Sequence, residues 1–447
     1  MLFLHKVAVA LIHLGCPKNL VDSEVLLGFL NEEFMLTNSL ENADVIVINT
    51  CGFIESAKEE AINTIFEASQ YKEDRCRALI VTGCLAQRYG KVLLEEIPEI
   101  DGILGVEELP QINEVVHNAL SGQKPLCIDR TGYIVSSTPR KRSTASYTSY
   151  IKIAEGCLNQ CAFCAIPLIR GKQRSRVLED IVDEANELVK DGVKELTLIA
   201  QDTTGYGLDL PSKEGLDVLL KRLGQKLPEN IWLRALYLYP TRLTPEIIEA
   251  FSSVKQFCRY VDLPLQHISE NVLKNMRRPF DKKKTYHLIE TLREKMPDIA
   301  LRTTFLVGFP GETEDDFQEL LDFVKDIRFD HVGVFAFSPE EGTKAYNLRP
   351  VVSKKIANER VNKIMEVQQQ ISREKNLAKI GQVYDVLYLG PSEESELVLK
   401  GRTRFQAPEI DGVTYFGIPD QPVKPGQIFQ VKITQALEYD LAGEVFF

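Results

Sequence analysis

Tyr150-Ile-Lys-Ile-Ala-Glu-Gly-Cys157-Leu-Asn-Gln-Cys161-Ala-Phe-Cys164 joins a short apolar run to three cysteines at spacings of four and three residues. Three thiolates so spaced can hold three irons of a four-iron cluster and leave the fourth open to bind and activate something. A fourth cysteine would close the site, as in an electron-transfer ferredoxin. Structural zinc is the alternative, but it needs four protein ligands, usually two close pairs, and no fourth Cys or His lies nearby. The run ahead of the cysteines has the pattern of a strand, so the trio sits just past a strand's carboxyl end.

The same rhythm continues downstream. Residues 150–154, 195–200, 232–238, 260–264, 300–308 and 331–337 are expected strands with helical patterns between them. Between the first two, Leu178, Ile181, Val182, Ala185, Leu188 and Val189 share one helical face, and Lys190-Asp-Gly192 supplies a stop. Six strand-helix units are too few for an eight-stranded barrel, so an open, partial barrel is expected, with the cysteines on the rim where barrel chemistry sits. Gln201 and Asp202 end the second strand at that rim, where polar groups could bind a cofactor or substrate. A helical pattern carrying Val361, Ile364, Val367 and Ile371 closes this region.

Upstream, the runs 7–12, 45–48 and 78–81 are each followed within a few residues by a cysteine: Cys16, Cys51 and Cys84. In an open parallel sheet the carboxyl ends of the strands line one edge, where ligands bind. Three cysteines about one strand-helix repeat apart therefore converge on that edge, which argues for a second three-thiolate metal site. Three buried small apolar residues is the plainer reading of the same positions. Cys76, Cys127 and Cys258 have no motif context and fit that plainer role.

A polar stretch, Ser136-Ser-Thr-Pro-Arg-Lys-Arg-Ser-Thr-Ala-Ser146, separates the two regions and has the composition of a solvated hinge. Its Arg140, Lys141 and Arg142 could also touch a phosphate or an acidic neighbour. After residue 376 the pattern changes to short strands with Gly and Pro in the turns, at 383–389, 397–402, 413–418 and 428–434, which fits a small β-barrel. From Ile380 onward Lys400, Arg402, Arg404, Lys424 and Lys432 face twice as many acidic residues: Asp385, Glu393, Glu394, Glu396, Glu409, Asp411, Asp420, Glu438, Asp440 and Glu444. An acidic barrel is a poor clamp for phosphate and suits a basic protein better. The division expected is 1–138, 139–375 and 376–447.

With 447 residues, 44% hydrophobic and 26% charged, the chain can bury several cores, and a formal net charge of −11 disfavours a main role in gripping nucleic acid. Met1-Leu-Phe-Leu-His-Lys does not resemble a signal peptide, and no apolar stretch is long enough to span a bilayer. A cytoplasmic location is expected, in which nine cysteines serve as ligands or reactive groups rather than as disulfides.

Cys157-x-x-x-Cys161-x-x-Cys164, with Phe163 before the last cysteine, resembles the radical S-adenosylmethionine (SAM) signature. Together with the three upstream cysteines and a TRAM-like terminal barrel, it makes the chain similar from end to end to the radical SAM methylthiotransferases. Leu14-Gly-Cys-Pro-Lys-Asn-Leu-Val-Asp-Ser-Glu24 resembles the branch that modifies a ribosomal protein; the tRNA-modifying branch typically carries Gln and Met where Pro17 and Lys18 stand. Ile199-Ala-Gln-Asp-Thr-Thr-Gly-Tyr206, Ala407-Pro-Glu-Ile-Asp-Gly412 and Tyr439-Asp-Leu-Ala-Gly-Glu444 are similar to the same branch. His13 replaces the small residue often found there.

The resemblance implies a Rossmann-like first domain, a partial (βα)6 radical SAM barrel and a TRAM barrel. It implies two [4Fe-4S] clusters, one on Cys157, Cys161 and Cys164 and an auxiliary one on Cys16, Cys51 and Cys84. SAM would serve as radical source and methyl donor, with Phe163, Gln201, Asp202, Gly308 and Gly311 at its pocket. Gly308-Phe-Pro-Gly-Glu-Thr313 also fits a plain turn in which Thr313 caps the next helix. The implied reaction replaces a hydrogen on the β-carbon of an aspartate of small-subunit ribosomal protein S-twelve with a methylthio group. An electron donor and a sulfur donor are implied partners. His267, near another strand end, is expected to be a hydrogen-bonded structural histidine.

Overall fold

The computed structural model describes residues 6–136, 138–279, 281–393, 395, 397–419 and 421–446. Met1–His5, Ser137, Glu394, Glu396 and Asp420, which entered the reading of the terminus, the hinge and the barrel's charge, lie outside the described residues.

The first sheet is parallel throughout, in the order β2-β1-β3-β4-β5-β6. Its strands are β1 (Ala8–His13), β2 (Met35–Leu36), β3 (Val45–Thr50), β4 (Ala78–Gly83), β5 (Gly102–Leu104) and β6 (Leu126–Cys127). Every residue of β3 and β4 is buried, as expected of a parallel sheet covered on both faces. Alternate side chains serve the two faces: Val45 and Val47 pack with Val25 and Val115, whereas Ile46 and Ile48 pack with Ile65 and Leu79. The three expected strands are the long ones. The others have two or three residues, too few to show a periodicity.

The middle region contains β7 (Thr148–Lys152), the short antiparallel pair β8 (Ala154–Glu155) and β9 (Arg174–Ser175), β10 (Glu195–Ile199), β11 (Trp232–Ala235), β12 (Tyr260–Asp262), β13 (Ala300–Val307) and β14 (His331–Ala336). Two parallel sheets, β11-β10-β7 and β12-β13-β14, meet where Leu233 bridges Phe257 and the Leu238 amide donates to the Asp262 carbonyl at 3.1 Å. Six strands thus form one open wall in chain order, with its helices outside, as expected. Leu178, Ile181, Val182, Ala185 and Leu188 of the helix Leu178–Lys190 are all buried against it.

The third region is a closed barrel, β15-β16-β17-β19-β18, of Val383–Pro391, Val398–Thr403, Thr414–Gly417, Ile428–Ala436 and Leu441–Val445, with β17 and β19 parallel. Closure depends on β19, which the sequence pattern did not show. Gly443 interrupts its alternation, and a Cβ there would lie 2.3 Å from the Lys432 carbonyl oxygen.

The barrel is fastened to the wall of strands by buried charge. Glu195, fully buried at the start of β10, accepts from Arg234 at 3.0 Å and from Arg402 of the barrel. Tyr260 donates to Asp411 at 2.6 Å, and Arg404 stacks on Trp232 at 5.2 Å. Two of the barrel's five basic side chains are therefore turned inward, which leaves its outer surface more acidic than composition alone suggests.

The stretch 138–146 corrects an expectation: it is docked rather than a solvated hinge. Arg140 donates to Glu24 at 2.5 and 2.9 Å and to Glu184 at 2.5 Å, and the Lys141 amide donates to the Glu24 carbonyl at 2.9 Å. Of the partners weighed for Arg140, the acidic neighbour is the one observed. Gly28 allows this approach, since a Cβ there would lie 2.3 Å from the Pro139 carbonyl oxygen.

Candidate active site between two sets of strand ends

Cys16, Cys51 and Cys84 follow β1, β3 and β4, three adjacent strands, so their thiols meet at one sheet edge. Cys16 caps the helix α1 (Pro17–Glu33) and Cys84 opens the helix Cys84–Glu96, each at a helix amino-terminal end that favours a thiolate. Gly83 makes the second turn possible: its φ is +94°, and a Cβ would fall 2.3 Å from Asn49 Oδ1. Burial, together with the neighbouring Cys84 and Cys16, pushes the Cys51 thiol up to about 12. Burial also raises Cys84, against the pull of Arg170. Cys16 is held below its usual range because Lys18, the Asn19 amide and Arg170 outweigh its burial.

The second trio lies past β8. Burial, with Cys161 nearby, pushes Cys157 up to about 11 and Cys164 up to about 12. The Asn159 amide donates to Cys157 Sγ at 3.4 Å and Arg278 to Cys161 Sγ at 3.5 Å. Each trio thus has donors and cations around its sulfurs. Among the described residues no three His, Cys, Asp or Glu side chains are arranged around a single ion. A cubane cluster is a larger guest, and one held by three thiolates carries net negative charge, which Arg170 and Lys18 at one trio and Arg278 at the other would offset. The residues present fit such a group.

Between the trios lies a buried ionic layer. Lys152 and Arg170 both pair with Asp22 and Glu155, with Arg170 at 2.9 Å from each carboxylate. Burial opposes ionisation of Glu155, but Arg170 and Lys152 drive its carboxyl far below the usual range. Arg170 also donates to Asn19 at 2.5 Å and to Cys84 Sγ at 3.4 Å, so it touches the first trio directly. None of these four charges was anticipated, since a charged residue's burial leaves no periodic trace; Arg170 follows Cys164 closely, and that proximity was the one available hint.

Gln201 joins this layer by donating to Glu155 at 2.6 Å, while its Oε1 has no partner among the described residues. Asp202 is occupied by Asn159 at 2.7 Å, Thr204 at 2.6 Å and Arg242, so it braces the rim. Phe163 packs with Ala162, Phe309 and Ala345, beside the Gly308 turn. Gly308 has φ +73°, and a Cβ there would lie 2.5 Å from Ala357 Cβ, so helix packing alone requires glycine. At Gly311, φ is +84° and its amide donates to the Pro350 carbonyl at 2.9 Å. Thr313 caps the helix Glu314–Ile327 in a reciprocal capping box. His267 is buried, its Nδ1 accepting from the Ser269 amide at 3.0 Å, the structural role expected. Cys76 and Cys258 are buried and Cys127 half-buried, away from both trios.

One rim segment reaches both trios. Past β11, Tyr237 lies within the electrostatic reach of Cys16, and Tyr239 within that of Cys161. The two cysteine sets therefore flank one rim segment.

Residues 8–105 match the model for "Uncharacterized protein family UPF0004", 151–324 that for the "Radical SAM superfamily" and 380–446 that for the "TRAM domain". The chain is 51% identical to the ribosomal protein uS12 methylthiotransferase RimO of Desulforamulus reducens, over 98% of this chain and 99% of the relative. It is 46% identical to the same-named protein of Clostridium acetobutylicum, over 99% and 98%. Among solved structures, the cobalamin- and cluster-bound radical SAM methyltransferase TsrM of Kitasatospora setae superimposes with a TM-score of 0.58 over 76% of this chain and 77% of its own, at 15% identity, a likeness of fold alone. With its sheet of upstream cysteines, its open radical SAM wall, its TRAM barrel and these full-length relatives, the chain belongs to the RimO family of ribosomal protein methylthiotransferases.

Proposed function

We infer that this chain is a radical SAM methylthiotransferase that places a methylthio group on the β-carbon of an aspartate in ribosomal protein uS12. What supports this reading is that the rim segment from Tyr237 to Tyr239 neighbours both cysteine trios, in a chain whose full-length relatives carry that activity in their names. Cys157, Cys161 and Cys164 would hold one [4Fe-4S] cluster, and Cys16, Cys51 and Cys84 the auxiliary one. When bound, these groups and SAM supply the hydrogen-abstracting radical, the sulfur and the methyl group.

The chain's own residues place and insulate that chemistry. The Lys152, Asp22, Glu155 and Arg170 layer excludes water between the trios and fixes Arg170 against Cys84. Gln201, held by Glu155, leaves its carbonyl oxygen free for a donor on SAM or substrate. Phe163, Gly308 and Gly311 line the neighbouring turn proposed for SAM, and Asp202 keeps the rim in place beside it. The division into 1–138, 139–375 and 376–447 gives each cysteine trio its own sheet. A reducing electron donor and a sulfur donor are the further partners this chemistry requires, and the cytoplasm supplies both. No helix among the described residues is long and apolar enough to cross a membrane.

The test is anaerobic: the reconstituted protein, SAM and a reductant are incubated separately with uS12 and with tRNA, and both are weighed by mass spectrometry. One methylthio group on uS12 is the expected result. A gain on tRNA alone would assign the chain to the tRNA-modifying branch, and iron without SAM cleavage would leave only a carrier or scaffold.

A further inference from the structure

The segment 337–345, which leaves the end of β14, is bonded to the surroundings of both cysteine trios. Its two ends belong to the Cys157, Cys161 and Cys164 side. Phe337 packs edge-on against Phe309, ring centroids 5.1 Å apart, and the Ala345 amide donates at 2.8 Å to the carbonyl of Ala162, which lies between Cys161 and Cys164. Its middle is a turn, closed by the Thr343 hydroxyl and amide on the Glu340 carbonyl at 2.6 and 3.1 Å.

That turn reaches across to the first sheet. Arg88, one helical turn after Cys84, donates to Glu340 at 2.8 Å, to the Glu341 carbonyl at 2.5 Å and to the carbonyl of Gly52, next to Cys51, at 3.2 Å. Lys58, on the helix Glu55–Ser69 that follows Cys51, pairs with Glu340 at 3.2 Å. The Glu340 side chain is only 2% exposed and meets both cations. A carboxylate so enclosed is held firmly where its partners are, because leaving them would cost it charge compensation that water cannot replace. The Arg170 layer fastens the same sheet through α1 and Cys84. The Glu340 turn adds a hold on the Cys51 side, which stops the sheet from turning about that layer.

We propose that Glu340 is a positioning residue that sets the separation of the two cysteine trios, by tying the helices at Cys84 and after Cys51 to the segment bonded to the Cys157–Cys164 loop. The proposal rests on the methylthiotransferase reading above and deepens it. In that reading the radical is supplied on one trio's side and the sulfur on the other's, so the yield of the transfer depends on their separation. A misplacement of about 1 Å can cost an oriented reaction on the order of a hundredfold. SAM cleavage involves one trio alone. Loosening the tie should therefore spare cleavage and lower the share of cleavage events that end in a methylthio group.

The test uses anaerobically reconstituted full-length protein with SAM, reductant and uS12, and counts 5′-deoxyadenosine formed per methylthio group transferred. Glu340→Gln should keep its iron and its SAM cleavage, while that ratio rises about tenfold. Hydrogen exchange without reductant gives a readout apart from turnover. The Lys58 amide, which donates to the Ile54 carbonyl at 3.1 Å, should exchange about tenfold faster in the variant, and the Ala345 amide at the wild-type rate. A wild-type ratio in Glu340→Gln overturns the proposal, as does an equal fall of both products with iron retained. If Glu340→Gln does not retain iron, Lys58→Met, which removes one of the two cations, decides: a ratio raised about threefold supports the proposal, and an unchanged one overturns it. A wild type that methylthiolates uS12 beside a variant with an unchanged ratio sinks only the Glu340 proposal. A wild type that adds no methylthio group to uS12 sinks the functional reading as well.

Discussion

Replacing Glu24 with Gln should undock the strap that links the first sheet to the wall of strands. The Glu24 carboxylate is fully buried and accepts from Arg140 at 2.5 and 2.9 Å, from the Ser143 amide at 2.8 Å and hydroxyl at 3.3 Å, and from the Thr144 amide at 3.1 Å. Removing one partner of a buried ion pair costs roughly 3–5 kcal/mol. Arg140 would keep Glu184 at 2.5 Å and Ser149 at 3.3 Å, so the lower end, about 3 kcal/mol, is expected. Each 1.4 kcal/mol is tenfold, so strap opening should become about a hundredfold more frequent. Hydrogen exchange at the Lys141 amide, which donates to the Glu24 backbone carbonyl and not to its carboxyl, reports that opening directly. The pH dependence is a second check. Burial opposes ionisation of Glu24, but Arg140 and the Ser143 and Thr144 amides hold its carboxyl below the ordinary range. A depressed carboxyl contributes stability above its unfolded value and loses it as pH falls through the folded one. The gap between wild type and variant should therefore be widest near pH 7.5 and close as the buffer is acidified below about pH 4. A Lys141 exchange rate changed less than about threefold, or a gap that does not vary with pH, would refute the reasoning.

Other outcomes follow from the same structure. Glu108 is 1% exposed, its carboxylate oxygens have no hydrogen-bond partner among the described residues, and burial with Glu107 and Asp129 pushes it up to about 7. Its folded value lies above the unfolded one, so stability is full below about pH 4.5 and declines as pH rises through 7. Glu108→Gln should then stabilise the protein by up to about 3 kcal/mol at pH 8 and very little at pH 4 in denaturant titrations. Triple alanine variants of Cys16, Cys51 and Cys84, or of Cys157, Cys161 and Cys164, should each lose about half the reconstituted iron; complete loss from both would mean one shared site. Gly83→Ala, which places a Cβ 2.3 Å from Asn49 Oδ1 at φ +94°, should lower the iron content of the first trio as its own cysteine replacements do. An unchanged iron content there would show that the turn adapts.

Legibility followed from locality. Cys157, Cys161 and Cys164 are close in sequence, and Cys16, Cys51 and Cys84 are one repeat apart, so spacing alone groups each trio. β3, β4 and the helix Leu178–Lys190 announced themselves through long apolar patterns. What stayed hidden depends on contacts between distant segments. The Arg170–Glu155–Asp22–Lys152 layer, the grip of Glu24 on Arg140 and the hold of Glu340 on Arg88 each join residues whose spacing carries no period. β19 was missed for a different reason: Gly443, needed where Lys432 passes close, breaks the alternation that marks a strand.

The buried Arg234–Glu195–Arg402 junction makes the terminal barrel an outrigger of the wall of strands. Prising it away would cost the enclosed Glu195 its Arg402 partner, which holds the barrel's acidic outer face at a set distance from the cysteines. A partner that rests on the barrel while feeding a side chain to the cysteines must bridge that span with its own pliancy. Reach, as well as charge, then selects which aspartate arrives.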